Sequence, residues 1–119
     1  MLQLDRGIRF AGIANKDGKM IAHAYRQGLL PLLTSIETEM SVLQSVIRAA
    51  MRKDLERKMG RTFFSYTRYE KVKRVTIPIY SSTSGNNDIW IFMVSFDINV
   101  DPEPLVMGKI IPLLDELVL

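Results

Sequence analysis

Between Leu32 and Met59 the apolar residues Leu32, Leu33, Ile36, Met40, Leu43, Val46, Ile47, Ala50, Met51, Leu55 and Met59 return every three or four positions. That spacing stacks them on one face of an α-helix, and no strand with its two-residue alternation can reproduce it. Thr34 is suited to cap the helix, and Glu37 three residues later can reach back to it, so Thr-Ser-Ile-Glu reads as a capping box. Gly60 follows where a C-terminal cap belongs. A helix from Thr34 to Met59 would be about 37 Å long at 1.5 Å per residue, enough to cross a small sheet. Everything else in the chain has to pack around it.

The second half of this run is basic. From Arg48 to Arg74 there are ten basic residues (Arg48, Arg52, Lys53, Arg57, Lys58, Arg61, Arg68, Lys71, Lys73 and Arg74) and three acidic ones (Asp54, Glu56 and Glu70). That is a net of +7 in a chain of net +3, which leaves −4 for the remainder, so charge is segregated along the sequence. Intrahelical pairs such as Arg52 with Glu56 and Asp54 with Lys58 would cancel part of it. The excess points to an anionic partner: an acidic protein surface, phospholipid headgroups or nucleic acid. The candidates for such contact are Arg48, Arg52, Lys53, Arg57, Lys58 and Arg61. Phe63, Phe64, Tyr66 and Tyr69 interleave with Arg61 and Arg68, but no RNA-binding aromatic motif or helix-turn-helix spacing accompanies them.

The 119 residues fit one domain, 1–119, with a core that needs no staples. Cysteine is absent and there is a single histidine, which removes disulfides, thiolate zinc sites and cysteine nucleophiles and leaves little for triad chemistry. No convergent set of acid, base, nucleophile and metal ligand is visible. The expectation is a chain that is not an enzyme and carries no cofactor and no metal. No apolar run approaches the roughly 18 residues of a membrane span, and Asp5, Arg6 and Arg9 stand where a signal-peptide core would lie. These features predict a soluble, cytoplasmic protein.

In chain order, Ile8 to Ile13 and Met20 to Tyr25 read as strands. Asn15-Lys16-Asp17-Gly18-Lys19 between them carries the Asp-Gly hairpin signal. Gly28 and Pro31 punctuate the passage into the long helix. After Gly60, Thr62 to Tyr66 is β-prone, and Val72, Val75, Ile77 and Ile79 mark an adjacent antiparallel strand. Ser81 to Asp88 is a polar loop. Ile89 to Phe96 is almost continuously apolar, the pattern of a strand buried on both faces. Asp101 can cap a closing helix with Pro102 at its first position; Leu105, Val106, Ile110, Leu113, Leu114, Leu117 and Val118 form its stripe, and Pro112 should kink it.

Smaller features have ordinary explanations. His23 lacks a neighbouring ligand or carboxylate in sequence and reads as a structural or surface residue. Gly7 and Gly12 lack the Lys-Ser/Thr of a phosphate loop, so a bulge or close packing is favoured. Asp97 and Asp101 are too few oxygen ligands for a calcium loop and read as turn and cap residues. The seven methionines, Met40, Met51 and Met59 among them, suit a core or a repackable interface.

With its opening hairpin Ile8 to Tyr25 around Asp17-Gly18, the helix Thr34 to Met59, the strand Ile89 to Phe96 and the closing helix, the chain resembles the roadblock family. That family is named for the dynein light chains and lies within the wider profilin-like and longin-like group. The likeness is one of pattern over nearly the whole chain. Roadblock proteins usually begin with an extra helix, which Met1 to Asp5 is too short to supply. The resemblance implies an α/β (α+β) two-layer sandwich with a five-stranded antiparallel sheet in the order 2-1-5-4-3, one long central helix and a C-terminal helix. It further implies a non-catalytic regulatory or scaffolding module that homodimerises and contacts a signalling partner such as a small GTPase. The dimer surface it implies is Met40, Leu43, Ile47 and Met51 with Phe63 and Phe64 at an adjacent edge strand. Two other readings stay open: a nucleic-acid-binding module using 48–74, and a small-ligand sensor with a pocket between sheet and helix.

Overall fold

The computed structural model describes residues 1–80 and 89–118, with the side chains of 117 and 118 left aside. The polar loop Ser81 to Asp88 lies outside the described residues. Strands β1 (Ile8–Ala14) and β2 (Met20–Tyr25) form the opening hairpin. Its turn closes because the Asn15 side-chain oxygen accepts the Asp17 and Lys19 amides while Gly18 takes φ of 82°, the positive value that makes glycine the residue of choice there. Helix α1 (Ser35–Lys53) and the short α2 (Glu56–Met59) follow. Then come β3 (Ser65–Arg68), β4 (Val72–Tyr80) and β5 (Ile89–Asp97). All pairings are antiparallel, and the strand order is β2-β1-β5-β4-β3, as the resemblance implied.

β5 occupies the centre and is apolar on both faces for a physical reason. Phe92, Val94 and Phe96 point to one side, where they meet Leu105, Val106, Ile110 and Leu114 of the closing helix. Ile91 and Met93 point to the other, against Val42 and the half-buried Val46 and Ala49 of α1. The expected pair of layers, sheet and closing helix, is present, and α1 adds a covering on the opposite face. A register shift between Ile8 and Phe10 lets Ile8 share a face with Ala11 despite the odd spacing. Gly7 and Gly12 are close-packing positions: an added Cβ would lie 2.1 Å from a Val100 methyl carbon at the first and 2.8 Å from the Phe10 ring at the second.

Two expectations about the helices are corrected. The single helix to Met59 is broken at Asp54 and Leu55, where the amides turn back to Met51 and Arg52, three residues away, instead of four. Aspartate competes for backbone bonds and weakens the helix there, and the chain beyond is drawn to the sheet because Glu56 accepts hydrogen bonds from the Tyr80 hydroxyl and the Thr62 amide. The capping box at Thr34 and Glu37 does form, with both reciprocal bonds, and Gly60 ends α2 with φ of 92°. The closing helix comprises α3 (Pro102–Leu105), a π-helical turn (Val106–Ile110) and α4 (Ile111–Val118). Pro112 has no N–H to donate, and its ring would press on the carbonyl four residues earlier; the wider turn just before it is where the helix departs from regular winding. Asp101 sits at the N-cap position without a side-chain capping bond.

Candidate interaction surface on the long helix

The side of α1 that meets the sheet is small and partly polar. Val42 and Ser45 are buried, with Ser41, Val46, Ala49 and Arg52 half-buried beside them. Beneath this end of the helix, β4 offers Arg74 and Thr76 to the same clefts that Ser45 and Arg52 line, so large apolar side chains on α1 find their partners elsewhere. The periodic stripe read from the sequence therefore faces outward. Leu43 is 48% exposed, Ile47 50%, Met51 66% and Met59 79%, with Ile36, Met40 and Leu55 in between. A run of exposed large apolar residues of this kind is unusual for a monomer and makes the stripe a candidate interaction surface. It continues past the helix start into an open groove of about 610 Å³ between Leu32, Leu33, Met40, Tyr69 and Val72.

The neighbouring sheet edge is β3, which among the described residues pairs on one side only, to β4. The β-prone segment begins later than its composition suggested, at Ser65, so Phe63 and Phe64 precede the strand. Phe63 is exposed, whereas Phe64 is half-buried against the closing-helix core. Tyr66, within the strand, is 44% exposed.

The basic residues do not form one face. Arg48, Arg57, Lys58 and Arg61 are exposed, and Arg52 and Lys53 are half-buried. The intrahelical pairs expected to offset them, Arg52 with Glu56 and Asp54 with Lys58, do not form among the described residues, whereas Arg9 and Arg26 both pair with Asp97. Glu56 is engaged elsewhere: the Tyr80 hydroxyl and the Thr62 amide hold its carboxyl below the usual range. Burial, then that same hydrogen bond, pushes the Tyr80 hydroxyl up to about 12. Arg61 stacks over the Tyr80 ring at 5.3 Å from its centre. Lys73 is turned inward, its ammonium donating to the Val100 carbonyl. Arg48, Arg52 and Arg74 instead converge on one small cleft between α1 and the β3–β4 side of the sheet.

The sequence reading missed the ionic clamp at Asp97. Arg26, just past β2, donates to both carboxylate oxygens and to the Arg6 carbonyl, and Arg9 adds a further bond. These bonds, Arg26 first, hold the Asp97 carboxyl below its ordinary value. No local signal could reveal a pairing across 71 residues. His23 is exposed, its ring 5.8 Å from that of Tyr25 and 6.1 Å from that of Phe10. A partly enclosed cavity of about 90 Å³ lies between α1 and the sheet, walled by Phe10, Met20, Tyr25, Leu33, Val42 and Met93. Small-molecule sites run from about 300 Å³ upward, so it would hold only a few atoms. Among the described residues no group of three or more histidines and carboxylates could hold a metal, and no helix is long and apolar enough to cross a membrane.

Comparison with solved structures finds the same architecture. MglB of Myxococcus xanthus superposes with a TM-score of 0.68 at 18% identity, over 98% of this chain and 86% of that one. The gliding protein MglB of Thermus thermophilus gives 0.62 at 14%, over 85% and 68%. A Roadblock/LC7 domain from Streptomyces avermitilis gives 0.58 at 10%, over 97% and 94%. No family model matches the sequence, and no curated protein matches it. The five-stranded sheet with a helix on either face thus defines a roadblock-type fold. Within that class the structures it is similar to include the MglB proteins.

Proposed function

We propose that this chain is a non-catalytic regulatory or scaffolding module of the roadblock type, a single domain over 1–119. In this reading it homodimerises through α1 and β3 and contacts a signalling partner such as a small GTPase, in the cytoplasm. The observation that carries the reading is the outward apolar stripe of α1 beside an unpaired strand edge. A free edge invites a second strand, and an isologous interface needs a self-complementary surface. The exposed apolar stripe of Met40, Leu43, Ile47 and Met51 is suited to meet its own copy. One of the similar structures is described as MglB with a tetrameric arrangement, which fits a fold that associates with itself.

Sedimentation across micromolar concentrations tests the reading. A mass well above 13.6 kDa is expected for the unmodified chain and a mass near 13.6 kDa for Ile47→Asp, with unchanged circular dichroism. A monomeric unmodified chain would remove the dimer. The nucleic-acid alternative draws support from Arg57 and Lys58, which are exposed and form no ion pair among the described residues. Retention on unrelated DNA or RNA with a steep salt dependence would favour it, and a partner-specific pull-down without nucleic acid would favour the scaffold.

A further inference from the structure

Arg74 lies in the interior of the sheet, opposite Thr67 of β3 and Ser95 of β5, on the face that α1 covers. It is half-buried, yet among the described residues its guanidinium has no carboxylate and no hydrogen-bond acceptor. Its donors keep some access to water, since no buried side-chain nitrogen or oxygen among the described residues lacks a partner, so they are open to an acceptor that enters the cleft. Above it, α1 brings down Arg48 and Arg52, four residues apart and so on one side of the helix. The three arginines line one cleft with Ser65, Thr67 and Thr76. Its walls offer many donors and no carboxylate. Glu56 lines the adjoining cleft instead, where it takes hydrogen bonds from Tyr80 and Thr62.

Three like charges lining one cleft repel one another. An anion there would relieve the repulsion. The enclosed space, about 20 Å³, holds little more than one oxygen, so a bound group would seat across the cleft mouth and not within it. A carboxylate brings one charge and two oxygens. A phosphate group carries about −1.5 to −2 charge and three acceptor oxygens, and the arginine fork matches it in paired bonds. We propose that the cleft formed by Arg48, Arg52 and Arg74 binds a phosphate group. The inference does not rest on the dimer, since all three arginines belong to one chain.

The test is the melting temperature and calorimetric titration of the full chain with inorganic phosphate, ionic strength being held constant with sodium chloride. A saturable rise in melting temperature beyond that in chloride is expected. Arg74→Gln should weaken phosphate binding about tenfold or more, as loss of a charge-assisted bidentate contact does. Arg48 is exposed, so Arg48→Gln should keep the fold by circular dichroism and also weaken binding. Lys109→Gln, on the closing helix, should bind as the unmodified chain does. Vesicles containing phosphatidic acid distinguish the source: arginine-dependent co-sedimentation that phosphate competes away assigns a lipid headgroup, and phosphate binding without co-sedimentation assigns a soluble phosphate. Phosphate acting no differently from chloride, or losses as large in Lys109→Gln as in the two arginine variants, would overturn the proposal.

Discussion

The closing helix turns Leu105, Val106, Ile110 and Leu114 toward the sheet and keeps them dry, whereas α1 turns Val42, Ser45 and half-buried small residues inward and leaves Ile36, Met40, Leu43, Ile47 and Met51 in solvent. Both helices carry an apolar stripe, yet only one uses it within the chain. Phe96, Ile110 and Val106 are each fully buried, and side chains of this kind contribute about 1.5–3 kcal/mol each. α1 depends more on its own capping box, on helix propensity and on clamps at either end. The difference separates two cases that amphipathicity alone cannot distinguish: one stripe builds the fold, and the other stays exposed on this chain.

The comparison yields a ranked set of expectations. Phe96→Ala, on the closing-helix side, should lose about 3–5 kcal/mol, the usual cost of emptying a buried aromatic site. It would appear in urea as a lower midpoint at constant slope. Asp97→Asn tests the clamp that fixes the chain after β2, on its way to α1, and should lose about 1–2 kcal/mol at neutral pH; the partly open site keeps the figure small. Since the folded Asp97 carboxyl lies below its ordinary value of 3.8, its contribution is complete above that value. It fades as the pH falls through the depressed folded value, so the curves for Asp97→Asn and the unmodified chain should converge in acid. A constant gap down through that range would show that the clamp acts by packing instead of charge.

Tyr80→Phe removes the hydroxyl that holds Glu56 and should cost about 1 kcal/mol, with faster amide exchange confined to α2. Ile47→Ser should be the mildest, within about 0.5 kcal/mol when measured at concentrations low enough to keep copies apart. A loss there comparable to that of Phe96→Ala would break the distinction between the two helices.

Local pattern was enough to find the hairpin, β5 and the closing helix, because each depends on a periodicity or turn chemistry carried by adjacent residues. The strand order came through the family resemblance, since nothing in neighbouring residues says that β5 inserts between β1 and β4. The inward side of α1 was hidden for a related reason. A stripe shows which residues share a face, but Arg74 and Thr76 on β4 decide which face the sheet accepts. The break at Asp54 depends on Tyr80, 24 residues from Glu56, and the arginine cleft on chain returning from β4. Such features are properties of the closed structure, and they are also where the candidate sites lie.

The Asp17–Gly18 turn does not stand free of the helix: a Cβ added at Gly18 would come within 2.9 Å of a Leu43 methyl carbon. The hairpin tip therefore rests against a residue of the outward stripe. A partner that covered Leu43 would meet the tip as well. The Lys19 amide, held in the turn by Asn15, should then exchange more slowly when the stripe is covered, a readout that needs no label on the partner.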